Sequence, residues 1–248
     1  MRGVVGQLLF VPRCAACRRR FPVSFAGVQP PLLCEECERS FQRAMRSSCA
    51  RCGAPFFSCV CSPSSMRRVG FVSFVKLAPY SEEGEDRVMR RIVLDSKKRP
   101  FDRAMERLAD ELRPGIGEAL IAAGYSERNA LLVPLPRSMK NERRYGTDQA
   151  KALATALSRA TGIPYRELLH RARVTHPQKT LNAPSRAENL ADVFYADAVP
   201  PNMCILLVDD VVTTGASMEA AGRALKRAGA KMMVAVAPAY TKKKRNHV

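Results

Sequence analysis

Short, uninterrupted apolar runs mark the larger, C-terminal part of the chain. Ala130-Leu131-Leu132-Val133 ends at Pro134, Ile205-Leu206-Leu207-Val208 ends at two aspartates, and Met232-Met233-Val234-Ala235-Val236 closes the series. An earlier stretch, residues 69–77, is rich in Val and Phe. Runs this short and this continuous predict strands buried on both faces. Between them apolar residues recur at helical spacing over residues 82–96, 101–112, 151–160 and 217–228. Pro114-Gly115 is expected to close the second of these helices, and Gly162 with Pro164 the third. Residues 170–188 show neither period and predict a loop. Strands alternating with helices predict an α/β fold, a mostly parallel sheet flanked by helices, with ligands at the carboxyl ends of the strands.

The first 66 residues follow another rule. Eight of the nine cysteines lie there, as Cys14-x-x-Cys17, Cys34-x-x-Cys37, Cys49-x-x-Cys52 and Cys59-x-Cys61. Two thiolates two residues apart can grip one metal ion from a tight turn, and two such pairs complete a tetrahedral all-sulfur site. No histidine falls in this stretch, so two structural zinc ions with all-cysteine ligation are expected. Sequential sharing assigns Cys14, Cys17, Cys34 and Cys37 to one ion and Cys49, Cys52, Cys59 and Cys61 to the other; an interleaved arrangement would use the same eight ligands. The alternative is a disulfide framework, which needs an oxidising compartment. The N-terminus offers a single Arg2, a short apolar stretch and no small-residue cleavage pattern, so a secretory signal is not expected and a cytoplasmic location is.

Ser62-Pro63-Ser64-Ser65 reads as a linker. The expected organisation is a double zinc-ribbon domain over 1–66, an α/β domain over 67–240 and a basic tail over 241–248. The chain of 248 residues is 46% hydrophobic, enough for a core, which excludes a wholly disordered protein. No apolar run approaches the length of a membrane-spanning helix. The formal net charge is +18, of which residues 1–68 contribute eleven arginines against three acidic residues. Such an excess favours an anionic partner, nucleic acid or a phosphorylated metabolite, or else serves as a docking face.

The most informative strand end is at Asp209-Asp210-Val211-Val212-Thr213-Thr214-Gly215-Ala216-Ser217. Small residues let backbone N–H groups converge on an anion, and the following helix adds the positive end of its dipole. Thr213, Thr214 and Ser217 add hydroxyl donors, with Gly215 and Ala216 between them. Such a cradle suits a phosphate monoester. Two carboxylates beside it suit the hydroxyls of an attached sugar, which they accept as hydrogen-bond donors. This pattern resembles the 5-phosphoribosyl-1-diphosphate (PRPP) signature of type I phosphoribosyltransferases.

With the cysteine pairs added, the chain resembles the ComF family, a zinc-ribbon head on a phosphoribosyltransferase-like domain. Leu8-Leu9-Phe10-Val11-Pro12-Arg13-Cys14 resembles that family's opening, and Leu132-Val133-Pro134-Leu135-Pro136-Arg137 its strand and diphosphate loop. Arg171, Thr175, Gln178, Leu181, Arg186, Asn189 and Phe194 fall on its next spaced pattern. The chain departs from the family's R-G-F-N-Q, having Tyr145-Gly146-Thr147-Asp148-Gln149. The resemblance implies a PRPP site with the 5-phosphate on residues 213–217 and the ribose hydroxyls on Asp209 and Asp210. Mg²⁺ would accompany the diphosphate, and Arg137 with the backbone of Pro134 would stabilise it as it departs. Gln149, Arg171, Gln178 and Arg186 are implied as further substrate contacts. The family name implies single-stranded DNA and DNA-uptake proteins as partners. Three roles stay open: a PRPP-dependent transferase of unknown acceptor, an accessory factor for exogenous DNA, and a PRPP-sensing module without turnover.

Overall fold

The computed structural model describes residues 12–21, 30–82, 84, 87–96, 103–137, 148–172 and 193–241. The helices are α1 (Glu35–Arg46), α2 (Ser64–Arg68), α3 (Arg87–Ser96), α4 (Arg103–Ala122), α5 (Gln149–Thr161) and α6 (Ala216–Arg227). The strands are β1 (Phe71–Val75), β2 (Ala78–Pro79), β3 (Ala130–Pro134), β4 (Leu169–Arg171), β5 (Phe194–Ala196), β6 (Cys204–Val208), β7 (Val211–Val212), β8 (Met232–Val236) and β9 (Ala239–Tyr240).

The central sheet has the order β1-β8-β6-β3, and all neighbours are parallel. β3, β6 and the last four residues of β8 are fully buried, because one core covers each face. One core joins α1, α3, α4 and α5 to the sheet. The other joins α2, α6, β4 and β5 to it. A small sheet, β2-β9-β7, continues the chain past the carboxyl ends of the main strands. This is the helix-flanked parallel sheet that the apolar runs predict. Among the described residues no helix is long and apolar enough to cross a membrane.

Pro114 does not close its helix; α4 runs through it to Ala122. The proline ring removes one N–H, which would have met the carbonyl of Asp110, and both residues are exposed, so that water can reach that carbonyl. Beyond it Ile116, Ala119 and Leu120 are buried. Two large aliphatic side chains at roughly 1.5–3 kcal/mol each outweigh a proline penalty of about 3 kcal/mol. The expected loop from residue 170 also begins differently. Leu169–Arg171 pair antiparallel with Phe194–Ala196, because Leu168, Leu169 and Phe194 are drawn into the core beside α6.

Residues 62–65 have a linker's composition, yet Ser62 is buried and Met66 of α2 is wholly enclosed. The N-terminal segment packs against the α/β core rather than standing apart. Arg18 pairs with the mostly buried Asp95 of α3 at 2.6 Å, and Glu38 of α1 with Arg107 of α4 at 2.8 Å. Phe74 of the edge strand β1 donates its N–H to the carbonyl of Val60 at 3.2 Å. The exposed edge that a parallel sheet leaves is thus partly covered.

Candidate functional site

The eight N-terminal cysteines gather into two groups of four, Cys14, Cys17, Cys34 and Cys37, and Cys49, Cys52, Cys59 and Cys61. The grouping is sequential. Within each group all sulfurs lie within 4.8 Å of one another, with Cys17 and Cys34 at 3.6 Å and Cys52 and Cys59 at 3.5 Å. Tetrahedral Zn–S bonds of about 2.3 Å demand sulfur separations near 3.8 Å, so either group could hold a zinc ion.

The local chain is built alike in the two. The carbonyls of Cys14 and Cys49 accept from the N–H of Arg18 and Gly53, at 3.0 and 2.9 Å. Both of those residues take positive φ, 65° and 74°. Glycine does this freely; Arg18 is held there while its guanidinium is anchored on Asp95. The tight turn points backbone N–H groups at the first sulfur. Burial opposes ionisation of Cys14, but N–H groups of Cys17, Cys34 and Ala16 outweigh it and bring its pKa down to about 7. Cys49 also falls to about 7, where N–H groups of Arg51 and Cys52 overcome the same burial. Cys59 is pushed up to about 12, by burial first. Cys204 lies in β6, away from both groups, a buried thiol raised to about 12 by burial alone.

The second site forms where β3 and β6 end side by side. Pro134 is in register with Val208, and Leu135 donates its N–H to the Val208 carbonyl at 2.8 Å. The chain beyond each strand brings Arg137 to Asp210, Nη2 to Oδ2 at 2.9 Å, with side chains only 13% and 12% exposed. Asp209 accepts the Asp210 N–H on its carboxylate at 2.8 Å and donates its own N–H to the Val236 carbonyl at 3.0 Å. Burial first, then the Asp210 charge, pushes the Asp209 carboxyl well above the usual carboxylate range. From here β7 leaves the main sheet to pair with β9.

Residues 213–217 follow. Thr213, Thr214, Ala216 and Ser217 are exposed, and Gly215 between them is buried with φ 83°. Gly215 is the N-cap of α6 and offers no side chain to the helix N–H groups, while the Thr214 hydroxyl accepts from the Ala216 N–H at 3.3 Å. A Cβ at Gly215 would lie 3.1 Å from Met66 Sδ and 3.2 Å from Pro63 Cγ. The chain joining the cysteine groups to β1 therefore forms the back of this loop.

Gln149 is buried at the start of α5, beside Asp148, whose carboxylate caps the helix by accepting from the Lys151 N–H at 3.2 Å. Burial raises the Asp148 pKa, and the charge of Arg137 is among the groups opposing that rise. The aspartate in place of the family's asparagine thus serves as a helix cap near Arg137. Arg171 lies on β4 with its guanidinium 5.3 Å from the Phe194 ring centroid. Gln178 and Arg186 lie outside the described residues, as do residues 138–147 and the basic tail beyond Thr241. Tyr80, which the sequence did not single out, follows β2 and feels the charge of Asp210. Burial raises its phenol, Arg90 opposes that rise, and the Asp210 charge adds to it.

Residues 144–248 match the family model described as the phosphoribosyl transferase domain. Competence protein F of Haemophilus influenzae is 31% identical over 102 residues, 40% of this chain and 44% of that protein. DNA utilization protein YhgH of Salmonella typhimurium is 26% identical over 229 residues, 90% of this chain and 95% of that protein. The match thus spans less than half of the first relative and nearly all of the second. Among solved structures, glutamine PRPP amidotransferase from B. subtilis superposes with a TM-score of 0.34 at 18% identity, over 69% of this chain and 30% of that chain. A purine phosphoribosyltransferase from Pyrococcus horikoshii gives 0.29 at 15%, over 57% and 83%. The chain is ComF-like, with a phosphoribosyl transferase domain.

Proposed function

We propose that this protein binds PRPP at the carboxyl ends of β3 and β6 and serves as an accessory factor in handling exogenous single-stranded DNA. The observation that carries the PRPP reading is the Arg137–Asp210 pair. It joins the loop after β3 to the end of β6, beside a helix N-terminus whose N-cap glycine supplies no side chain. The 5-phosphate would rest on the N–H groups of residues 213–217 and the hydroxyls of Thr213, Thr214 and Ser217. Asp209 and Asp210 would accept from the ribose hydroxyls. Arg137 would stabilise negative charge on the departing diphosphate. Mg²⁺ bound with PRPP would supply further charge neutralisation at that diphosphate; adjacent carboxylates suit an ion that takes one or two protein ligands and keeps its waters. Whether a nitrogen nucleophile then takes the ribose is a separate question from binding.

Each cysteine group would hold a structural zinc, closed by four protein ligands and so without a position for catalysis. A reducing cytoplasm keeps such thiolates available. The DNA reading is supported by the names of the relatives and by the exposed Arg19, Arg20, Arg43, Arg46 and Arg51 of the head.

Calorimetry with PRPP and Mg²⁺ on the wild type and on Asp209→Asn/Asp210→Asn tests the pocket. Binding by the wild type and its loss in the variant are expected; no binding by the wild type removes the assignment. Titration with single-stranded oligonucleotide at several salt concentrations tests the second half. Affinity should fall steeply with salt, by nearly one power per phosphate contact. Failure to bind even at low salt would leave a PRPP-binding protein without a direct DNA contact.

A further inference from the structure

We propose that Lys76 is the buried counter-charge and hydrogen-bond donor of the second cysteine group, an outer-sphere residue that the α/β domain supplies to a metal held by the head. This rests on the reading of that group as a zinc site. Lys76 directly follows β1 and is 1% exposed, among the most enclosed side chains of the molecule. Its Nζ donates to the Cys59 carbonyl at 2.5 Å, to the Cys61 carbonyl at 3.0 Å, and to Cys59 Sγ and the Phe74 carbonyl at 3.4 Å. The ammonium lies 4.9 Å from the Phe74 ring centroid and 5.6 Å from that of Phe56. Two of the four cysteines of the group therefore touch one lysine.

An ammonium out of water is expensive unless an anion or several acceptors balance it. The Cys59 and Cys61 carbonyls take two of its three hydrogens, but they carry no net charge. If nothing anionic lay nearby, a methionine of similar length would fill the space between the two rings at lower cost. Four thiolates on a divalent ion leave two excess negative charges, also buried at Cys49 and Cys59. Lysine and metal site each remove the other's penalty. An N–H donated to a ligating sulfur also lowers its electron density and fixes its direction, as other outer-sphere partners do for metal ligands. The first cysteine group differs. A cation that feels Cys34 and Cys17 is Arg19, exposed and shared with Glu36, where water screens it.

The test uses the full-length, zinc-loaded chain and a chromogenic chelator in excess. The wild type should release two zinc ions. In Lys76→Met one of the two should leave about 10–100-fold faster, the usual scale for losing an outer-sphere partner, while the other keeps its wild-type rate. Lys76→Gln, which retains an N–H donor without the charge, should fall between. With cadmium in place of zinc, the wild type should give two ¹¹³Cd resonances, only one of them coupled to the Lys76 ammonium protons; this reading needs no variant. Wild-type rates for both ions in a folded Lys76→Met, or no cadmium resonance coupled to Lys76, overturns the role of Lys76 while leaving the zinc sites standing. A wild type that holds no metal on Cys49, Cys52, Cys59 and Cys61 overturns both.

Discussion

Asp209→Asn should stabilise the protein at neutral pH while abolishing its ligand site. The two adjacent carboxylates are held unequally. Asp210 has the Arg137 guanidinium at 2.9 Å. Asp209 has the Asp210 N–H, but it also has burial and the like charge of Asp210, and its pKa is raised well above 3.8. The folded chain thus holds a proton at Asp209 more tightly than the unfolded chain does. A raised carboxyl contributes stability that is fully present below the unfolded value, near 3.8, and is lost as pH rises through the higher folded value. Each unit between the two is worth about 1.4 kcal/mol.

Asparagine keeps the shape and does not titrate. At pH 8 the variant should exceed the wild type by about 1–2 kcal/mol, the usual size of a stability gain at a strained functional position. In a chain of this size that raises Tm by roughly 2–8 °C. The advantage should shrink as pH falls toward 4. Urea denaturation from pH 4 to 8, at equal metal content, measures it. In the same series PRPP with Mg²⁺ should bind the wild type more tightly as pH rises, with proton release visible as buffer-dependent heat. An Asp209→Asn variant no more stable than the wild type at pH 8, or a stability difference that does not change with pH, would refute the argument.

Arg137→Met leaves two adjacent carboxylates without their guanidinium and should cost about 3–5 kcal/mol; adding Asp210→Asn should recover a large part of that, and a double-mutant cycle by denaturation measures the coupling. Gly215→Ala forces an alanine to φ 83° and its Cβ against Pro63 and Met66 at 3.1–3.2 Å. A loss of about 1–2 kcal/mol in stability and a fall of tenfold or more in PRPP affinity are expected, and wild-type affinity by calorimetry would count against the cradle. Removing zinc with a zinc-selective chelator that spares Mg²⁺ should weaken PRPP binding more than it reduces helix content by circular dichroism; reloading zinc should restore it.

The strands that the sequence reveals well are those whose neighbours impose the same demand at every position. Residues 130–133, 205–208 and 232–236 are apolar throughout because helices cover both faces, and each observed strand differs from its run by at most one residue. The two-residue strands β2, β7 and β9 are too short to carry a period. Pro114 misleads because a local rule is overridden by the burial of Ile116 and Leu120 farther along the same helix. The cysteine groups are legible because spacing alone brings paired sulfurs together. The candidate cradle is legible as a motif because its residues are consecutive. Arg137 beside Asp210 follows only once β3 and β6 are known to be neighbours. Lys76 is not legible at all: one lysine after an apolar strand reads as a solvent-facing position, and its partners lie 15–17 residues earlier in a separate motif.

Those same long-range contacts decide how far the head matters to the site. Arg18 on Asp95 and Glu38 on Arg107 fasten the first cysteine group to α3 and α4. The second group is fastened by Lys76, and by Phe56 stacked on Tyr240 with centroids 6.4 Å apart. Tyr240 belongs to β9 and is in register with Val212, the residue before the cradle. From Cys61 the chain runs directly to Pro63 and Met66, which close on Gly215. The cradle is thus held at Val212 and at Gly215 by elements that themselves rest on the second cysteine group. Zinc binding supplies on the order of 10 kcal/mol to small metal-dependent folds, and a zinc held by the second group would not confine that free energy to the head. Losing such an ion would release Phe56 and the 59–66 segment together, and a loop built of backbone N–H groups and small hydroxyls would have little else to hold its shape. The head would therefore preorganise the proposed phosphate site.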